Sequence, residues 1–194
     1  ARSMSIPIYI IDDEPAILKA LKQLLAIEGY EAEVFGDARE ALKKLDRDWP
    51  GVVLSDINMP GIDGVEFLRE ALKIDPEFSV VMLTGHGDIS TAVESMRLGA
   101  YDFIEKPFSN EHILDVLNRA GEKRTLVLEN RELKDELDAQ TVAGPRLLGN
   151  THKIKALRRL LVQIKDNPAD VLIRGETGSG KDLVARFLHY NSHR

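Results

Sequence analysis

The chain has 194 residues, 43% of them hydrophobic, which is enough to bury a core and argues against wholesale disorder. Its 26 Lys and Arg stand against 32 Asp and Glu, a net charge of −6 that does not favour a basic nucleic-acid-binding face. With no cysteine, disulfides, thiolate metal sites and cysteine nucleophiles are excluded; with no long apolar run and no leader, a cytoplasmic protein without membrane contact is expected. At roughly 150 residues per domain the length suggests one domain and part of another. Residues 1–5, with Ala1-Arg2-Ser3 ahead of Met4, read as a tag and N-terminus outside the fold.

From Ile6 the chain alternates short apolar runs with helical patterns. Ile6 to Ile11 reads as a strand ending in acids, and Ile17, Leu21, Leu24 and Leu25 then fall at helical spacing until Gly29. Glu31 to Phe35 is a weaker strand, and Ala38 to Leu45 a short helix with Asp37 as its N-cap. Val52-Val53-Leu54-Ser55 is uniformly apolar apart from its end, as a strand covered on both faces should be. Val65 to Lys73 is helical, Ser79 to Leu83 a fourth strand, and Ile89, Val93 and Met96 mark the next helix, closed by Gly99. Tyr101 to Glu105 is a fifth strand, and a last helix begins near Asn110. Five βα units with short loops predict an α/β fold, a parallel sheet between helices, with ligands at the carboxyl ends of its strands.

Those ends carry one constellation. Strand one ends in Asp12-Asp13, strand three in Asp56, strand four in Thr84, and strand five leads to Lys106-Pro107. Taken singly, each residue has an ordinary structural role: Asp13 or Glu14 starting a helix, Asp56 and Thr84 forming turns, Lys106 solvated. Together they form a conflict, because unit charges ~4 Å apart interact by roughly 4 kcal/mol at an effective dielectric of 20. A divalent cation bound by hard oxygens resolves it, and magnesium suits such a set. A lysine and a hydroxyl opposite would complete a cradle for phosphoryl oxygens.

Asp12-Asp13, Asp56-Ile57-Asn58-Met59-Pro60-Gly61, Thr84 and Lys106-Pro107-Phe108 resemble the receiver domains of bacterial two-component response regulators over residues 6 to about 120. The resemblance implies a doubly wound sheet of strand order 2-1-3-4-5. It implies that Asp56 takes a phosphoryl group from a phosphohistidine of a sensor histidine kinase. Asp13 and Asp56 would hold Mg2+ directly, together with the Asn58 carbonyl, and Asp12 through water. Lys106 would pair with the phosphate, Thr84 would swing toward it, and Phe103 would be the aromatic switch. A cis Lys106-Pro107 bond belongs to the same pattern. A haloacid-dehalogenase-type hydrolase needs a second acid two residues after its nucleophile; Asn58 stands there, and that reading fails.

A second phosphate motif lies near the far end. Val171-Leu172-Ile173 reads as a strand, followed by Gly175-Glu176-Thr177-Gly178-Ser179-Gly180-Lys181 and a helix from Asp182 to His189. That order predicts a Walker A loop, with glycine N–H groups around phosphates and Lys181 reaching the β and γ oxygens. Asp182 replaces the usual Ser or Thr. Leu147 to Arg194 resembles the opening of the AAA+ domain of sigma-54-dependent transcription activators, whose loop carries an acid there. The subfamily most similar is the C4-dicarboxylate transport regulators, through Thr84 to Ile89 and Gly99 to Ile104. Walker B acids, the polymerase-contact loop, the arginine finger and a helix-turn-helix are not in this sequence, so an N-terminal fragment inactive as an ATPase is expected. ATP, DNA and sigma-54 RNA polymerase would engage the longer protein.

Between these regions, residues 110 to 140 are rich in Leu, Glu, Lys and Arg. Leu126, Asn130, Leu133 and Leu137 fall at heptad positions d, a, d, a, which suits a homodimeric coiled coil; an ordinary solvated helix is the alternative. Thr141 to Pro145 reads as a hinge. The expected domains are therefore a receiver at 6–120, a helical dimerisation linker at 121–143 and an ATPase fragment at 144–194. The function expected is phosphorylation-controlled transcription activation. A stand-alone dimeric receiver, and an ATP-hydrolysing enzyme in its own right, are the alternatives.

Overall fold

The computed structural model describes residues 6–85, 87–141, 147, 149 and 151–192. The N-terminal tag, His86 and most of the expected hinge lie outside them. The chain divides into two compact units after Glu129.

In the first unit, β1 (Pro7–Ile11), β2 (Glu31–Phe35), β3 (Val52–Asp56), β4 (Ser79–Thr84) and β5 (Asp102–Glu105) form a parallel sheet of order 2-1-3-4-5. Between and after them come α1 (Pro15–Ile27), α2 (Ala38–Lys44), α3 (Gly64–Ile74), α4 (Ile89–Leu98) and α5 (Asn110–Thr141). Strand alternation splits the core in two. Ile8, Ile10, Val52, Leu54, Val81, Leu83 and Ile104 face α1 and α5, where Leu18, Leu21, Leu25, Ile113 and Leu117 meet them. Tyr9, Ile11, Val53, Val80 and Met82 face the other way, against α2 and α3 with Ala41, Phe67 and Leu68.

The expected strands are present with small shifts at their ends. β1 begins at Pro7 and β5 at Asp102, one residue later than their apolar runs, while β3 extends to Asp56 itself. In α1 Leu18 is buried, a position outside the expected stripe. Asp37 does cap α2, accepting from the Arg39 N–H, and Gly99 closes α4 at φ +117°, the left-handed region glycine favours.

The helix expected near Asn110 continues into the heptad stretch: α5 is one helix of 32 residues, from Asn110 to Thr141. Its Leu126 and Leu133 are 64% and 59% exposed.

In the second unit, α6 (His152–Ile164) and α7 (Lys181–Asn191) pack around Leu161, Val184 and Phe187. Thr151 caps α6 by accepting from the Ile154 N–H. The strand expected at Val171–Ile173 is not formed. A parallel strand exists by exchanging hydrogen bonds with neighbours, and the described residues of this unit supply none. Among the described residues, no helix is long and apolar enough to cross a membrane.

Candidate functional site

The carboxyl edge of the five-stranded sheet gathers the strand-end residues. Asp12 follows β1 and is fully buried; its amide donates to the Phe35 carbonyl (3.2 Å), and its Oδ1 accepts from the Glu14 N–H (2.8 Å). That contact turns the chain into α1, whose N-cap is Glu14 and makes no side-chain cap bond. Asp13 therefore does not cap α1; it stays exposed at the mouth. Asp56 ends β3, 6% exposed, and the next residue is fixed by an Ile57 N–H donated to the Leu83 carbonyl (3.0 Å). Asp12, Asp13 and Asp56 each offer a carboxylate oxygen within 4.8 Å of one another.

Lys106 reaches this cluster from the end of β5. Its Nζ lies 2.9 Å from Asp56 Oδ1 and 3.2 Å from Asp12 Oδ2. The Lys106 backbone is held by an N–H donated to the Thr84 carbonyl (2.7 Å), and the Lys106-Pro107 bond is cis. Burial pushes the Asp56 carboxyl above the usual carboxylate range; Lys106 opposes the rise, and Asp12 and Asp13 add to it. Burial works against the charge on Lys106, but Asp56 and Asp12 outweigh it and hold its ammonium above the usual lysine value. A carboxylate whose ionisation is resisted by burial and by two like charges suits a hard cation, and the oxygen set fits Mg2+.

Thr84 is buried at the end of β4, and its hydroxyl donates to the Ile104 carbonyl at a long 3.5 Å, toward β5 rather than Asp56. Phe103, the neighbouring outward residue of β5, is 37% exposed. Asn58 lies on the loop after β3, where its Nδ2 donates to Asp88 Oδ2 (2.6 Å). Asp88, the residue ahead of α4, was not among the expected site residues. Its carboxylate ties two loops across the site instead of capping its own helix. Only a pairing between distant loops marks it, and no local pattern carries that.

The second loop is arranged differently. Gly178 and Gly180 adopt φ of +83° and +84°, the left-handed turn that bends the backbone ahead of α7. The Lys181 Nζ donates to the carbonyls of Gly175 (2.7 Å) and Glu176. Ser179 Oγ donates to the Glu176 carbonyl (2.7 Å), and Asp182 pairs with Arg186 at 3.0 Å. Glu176, Thr177 and Ser179 are exposed. The motif thus has its turn, while its lysine is bound to its own loop.

Comparison with known families matches residues 8–118 to the response regulator receiver domain and residues 148–194 to the sigma-54 interaction domain. The chain is 44% identical over 187 residues to the C4-dicarboxylate transport transcriptional regulatory protein DctD of Rhizobium meliloti, covering 96% of this chain and 40% of that protein. It thus spans about two fifths of the curated relative's length. Among solved structures, NtrX from Brucella abortus in complex with ATP is 36% identical with a TM-score of 0.55, over 98% of this chain and 41% of that one. The beryllofluoride-activated NtrC4 receiver domain dimer is 37% identical with a TM-score of 0.57, over 61% of this chain and 98% of that one.

Proposed function

The chain belongs to the response regulators that join a receiver domain to a sigma-54 interaction domain, and from that premise we propose that Asp56 is the phosphoryl acceptor of a phosphorylation-controlled transcription activator. The observation that carries this reading is the approach of Lys106 Nζ to Asp56 Oδ1, 2.9 Å, beside the three clustered carboxylates.

In the proposed reaction an Asp56 carboxylate oxygen attacks the phosphorus of a kinase phosphohistidine. The P–N bond breaks, the imidazole leaves, and an acyl phosphate forms on Asp56. Lys106 presents its ammonium to the phosphoryl oxygens, exchanging one charged partner for another without crossing water. Asp12, Asp13, Asp56 and the Asn58 carbonyl would hold Mg2+, which when bound offsets the negative charge gathered on the phosphoryl oxygens. Thr84 turns its hydroxyl from the Ile104 carbonyl toward the new phosphate, and Phe103 follows into the space behind it. Burial of Asp56 keeps bulk water away from the acyl phosphate.

The output rests on the chain beyond the receiver. The heptad stripe of Leu126 and Leu133 supports a homodimer through residues 110–140. Gly175, Glu176, Thr177, Gly178, Ser179, Gly180, Lys181 and Asp182 support nucleotide binding in the longer protein, which would act on sigma-54 RNA polymerase in the cytoplasm. The test is intact-mass measurement after incubation with acetyl phosphate and magnesium. The parent chain gains one phosphoryl group, and Asp56→Asn gains none; phosphoryl uptake by Asp56→Asn overturns the assignment.

A further inference from the structure

Arg124 is a guanidinium with no exposure to solvent, carried by α5 past the point where the receiver was expected to end. Its Nη1 donates to Asp75 Oδ2 (2.7 Å) and to the Glu77 carbonyl (3.2 Å). Its Nε donates to the Trp49 carbonyl (2.9 Å) and its Nη2 to the Arg47 carbonyl (2.8 Å). The guanidinium carbon lies 4.6 Å from the centre of the Phe78 ring. Asp75 is equally buried, and its Oδ1 accepts from the Glu77 N–H (3.0 Å).

The same stretch of helix is pressed close to the sheet. Ser79 Oγ donates to the Ala120 carbonyl (2.9 Å), and a Cβ added at Gly121 would stand 2.4 Å from the Ile6 side chain. The loops that Arg124 joins lead into β3 and β4 at the ends opposite Asp56 and Thr84. A buried ion pair is a poor device for stability alone, because well-packed apolar residues of similar volume do as well or better. What a planar fork supplies is orientation: several donors in a fixed plane accept one placement of the helix.

We propose that Arg124 is a positioning residue that makes residues 121–129 of α5 part of the receiver's rigid body, so that a rearrangement of paired receivers turns α5 instead of being absorbed by a hinge near residue 120. The pairing in this statement rests on the dimer reading above; the anchoring does not.

The chain has no cysteine, so nitroxide labels at Lys22→Cys and Glu129→Cys report one intrachain distance, with labelled chain diluted in unlabelled chain. The parent gives a single narrow distribution. Arg124→Met removes the guanidinium that faces the buried Asp75 carboxylate and is expected to melt lower. The double variant Asp75→Asn with Arg124→Met removes both charges and recovers part of that loss. In both variants the distance distribution broadens at least twofold, and amide exchange over 121–129 speeds by about tenfold or more. Acetyl-phosphate uptake at Asp56 stays within about twofold of the parent, since Arg124 touches no reacting group. Should the double variant lose the receiver fold, Arg124→Lys, which keeps the charge but not the fork, decides on the same two readouts. An unchanged distribution and unchanged exchange overturn the proposal, leaving the packing of Ala120 and Gly121 as the anchor. A monomeric mass by light scattering with a narrow intrachain distance removes the dimer reading and leaves the anchoring intact.

Discussion

Asp56 ends a strand hydrogen-bonded on both sides, by β1 and β4, whereas Lys181 follows a loop whose preceding residues, 171–173, pair with no strand among the described residues. Both sites carry a motif for phosphate. At the first, neighbouring strands deliver Asp12, Thr84 and Lys106 to one edge, beside a buried Asp56. At the second, Leu172 is 76% exposed, and the lysine spends its donors on the loop's own carbonyls. A motif fixes which atoms are available, and the neighbouring strands fix whether they converge on a ligand.

The strongest way to break this comparison is Lys106→Ala. If convergence matters, acetyl-phosphate uptake at Asp56 falls by about 10²-fold or more, the scale seen when a preorganised electrostatic donor is lost. Uptake within a few-fold of the parent, followed by intact mass against time, would mean that Lys106 is only a solvated cation near the site.

Asp13→Asn sharpens the account of the carboxylates. Magnesium affinity, measured by calorimetry, should drop by about tenfold or more. The metal-free protein should melt at the same temperature or slightly higher at pH 7. The sign follows from Asp56: its raised folded value means the native state holds that proton more tightly than the unfolded chain does. Its contribution to stability is therefore greatest in acid and declines as pH rises from the ordinary Asp value through the raised one. Removing Asp13 relaxes one cause of that decline, so the gain should fade below about pH 4, where unfolded Asp is itself protonated. A lower melting temperature at pH 7 would return Asp13 to the start of α1.

The smallest effect is expected at the second loop. Nucleotide titration of this chain should give weak binding, with Kd of about 1 mM or above, because Lys181 must first leave the Gly175 and Glu176 carbonyls. Lys181→Ala removes even that and leaves Asp56 uptake unchanged. Micromolar ATP affinity in the parent chain would show that the loop is preorganised without flanking strands, and the contrast between the two sites would dissolve.

The receiver was legible because its signals are local and regular. Short apolar runs at Ile8 to Ile11 and Val52 to Leu54, helical spacing in α1, and glycines at Gly29 and Gly99 each constrain only their neighbours, and all agree. The strand-end acids and Lys106 were legible once the sheet was drawn. Asp88 and Arg124 were not, because each is defined by a partner thirty or more positions away, Asn58 at |i−j| = 30 and Asp75 at |i−j| = 49. A charge on the buried stripe of Ile113, Leu117 and Ala120 was the available sign of Arg124. At Val171–Ile173 the composition of a strand was real, but a ladder belongs to two chains of atoms and a run of apolar residues supplies one.

The placement of Trp49 has a practical consequence. It is the chain's one tryptophan, packed against Tyr9 (4.2 Å) and Phe78 (6.4 Å) between ring centres, with its carbonyl on Arg124. It precedes β3, so Pro50, Gly51 and the strand up to Ser55, roughly 3.3 Å per strand residue, separate it from Asp56. Its emission is therefore blind to a quencher or cation at the acidic edge, and is an optical gauge of the α5 anchor. A change in intrinsic fluorescence on phosphorylation would record a disturbance that had already crossed the sheet.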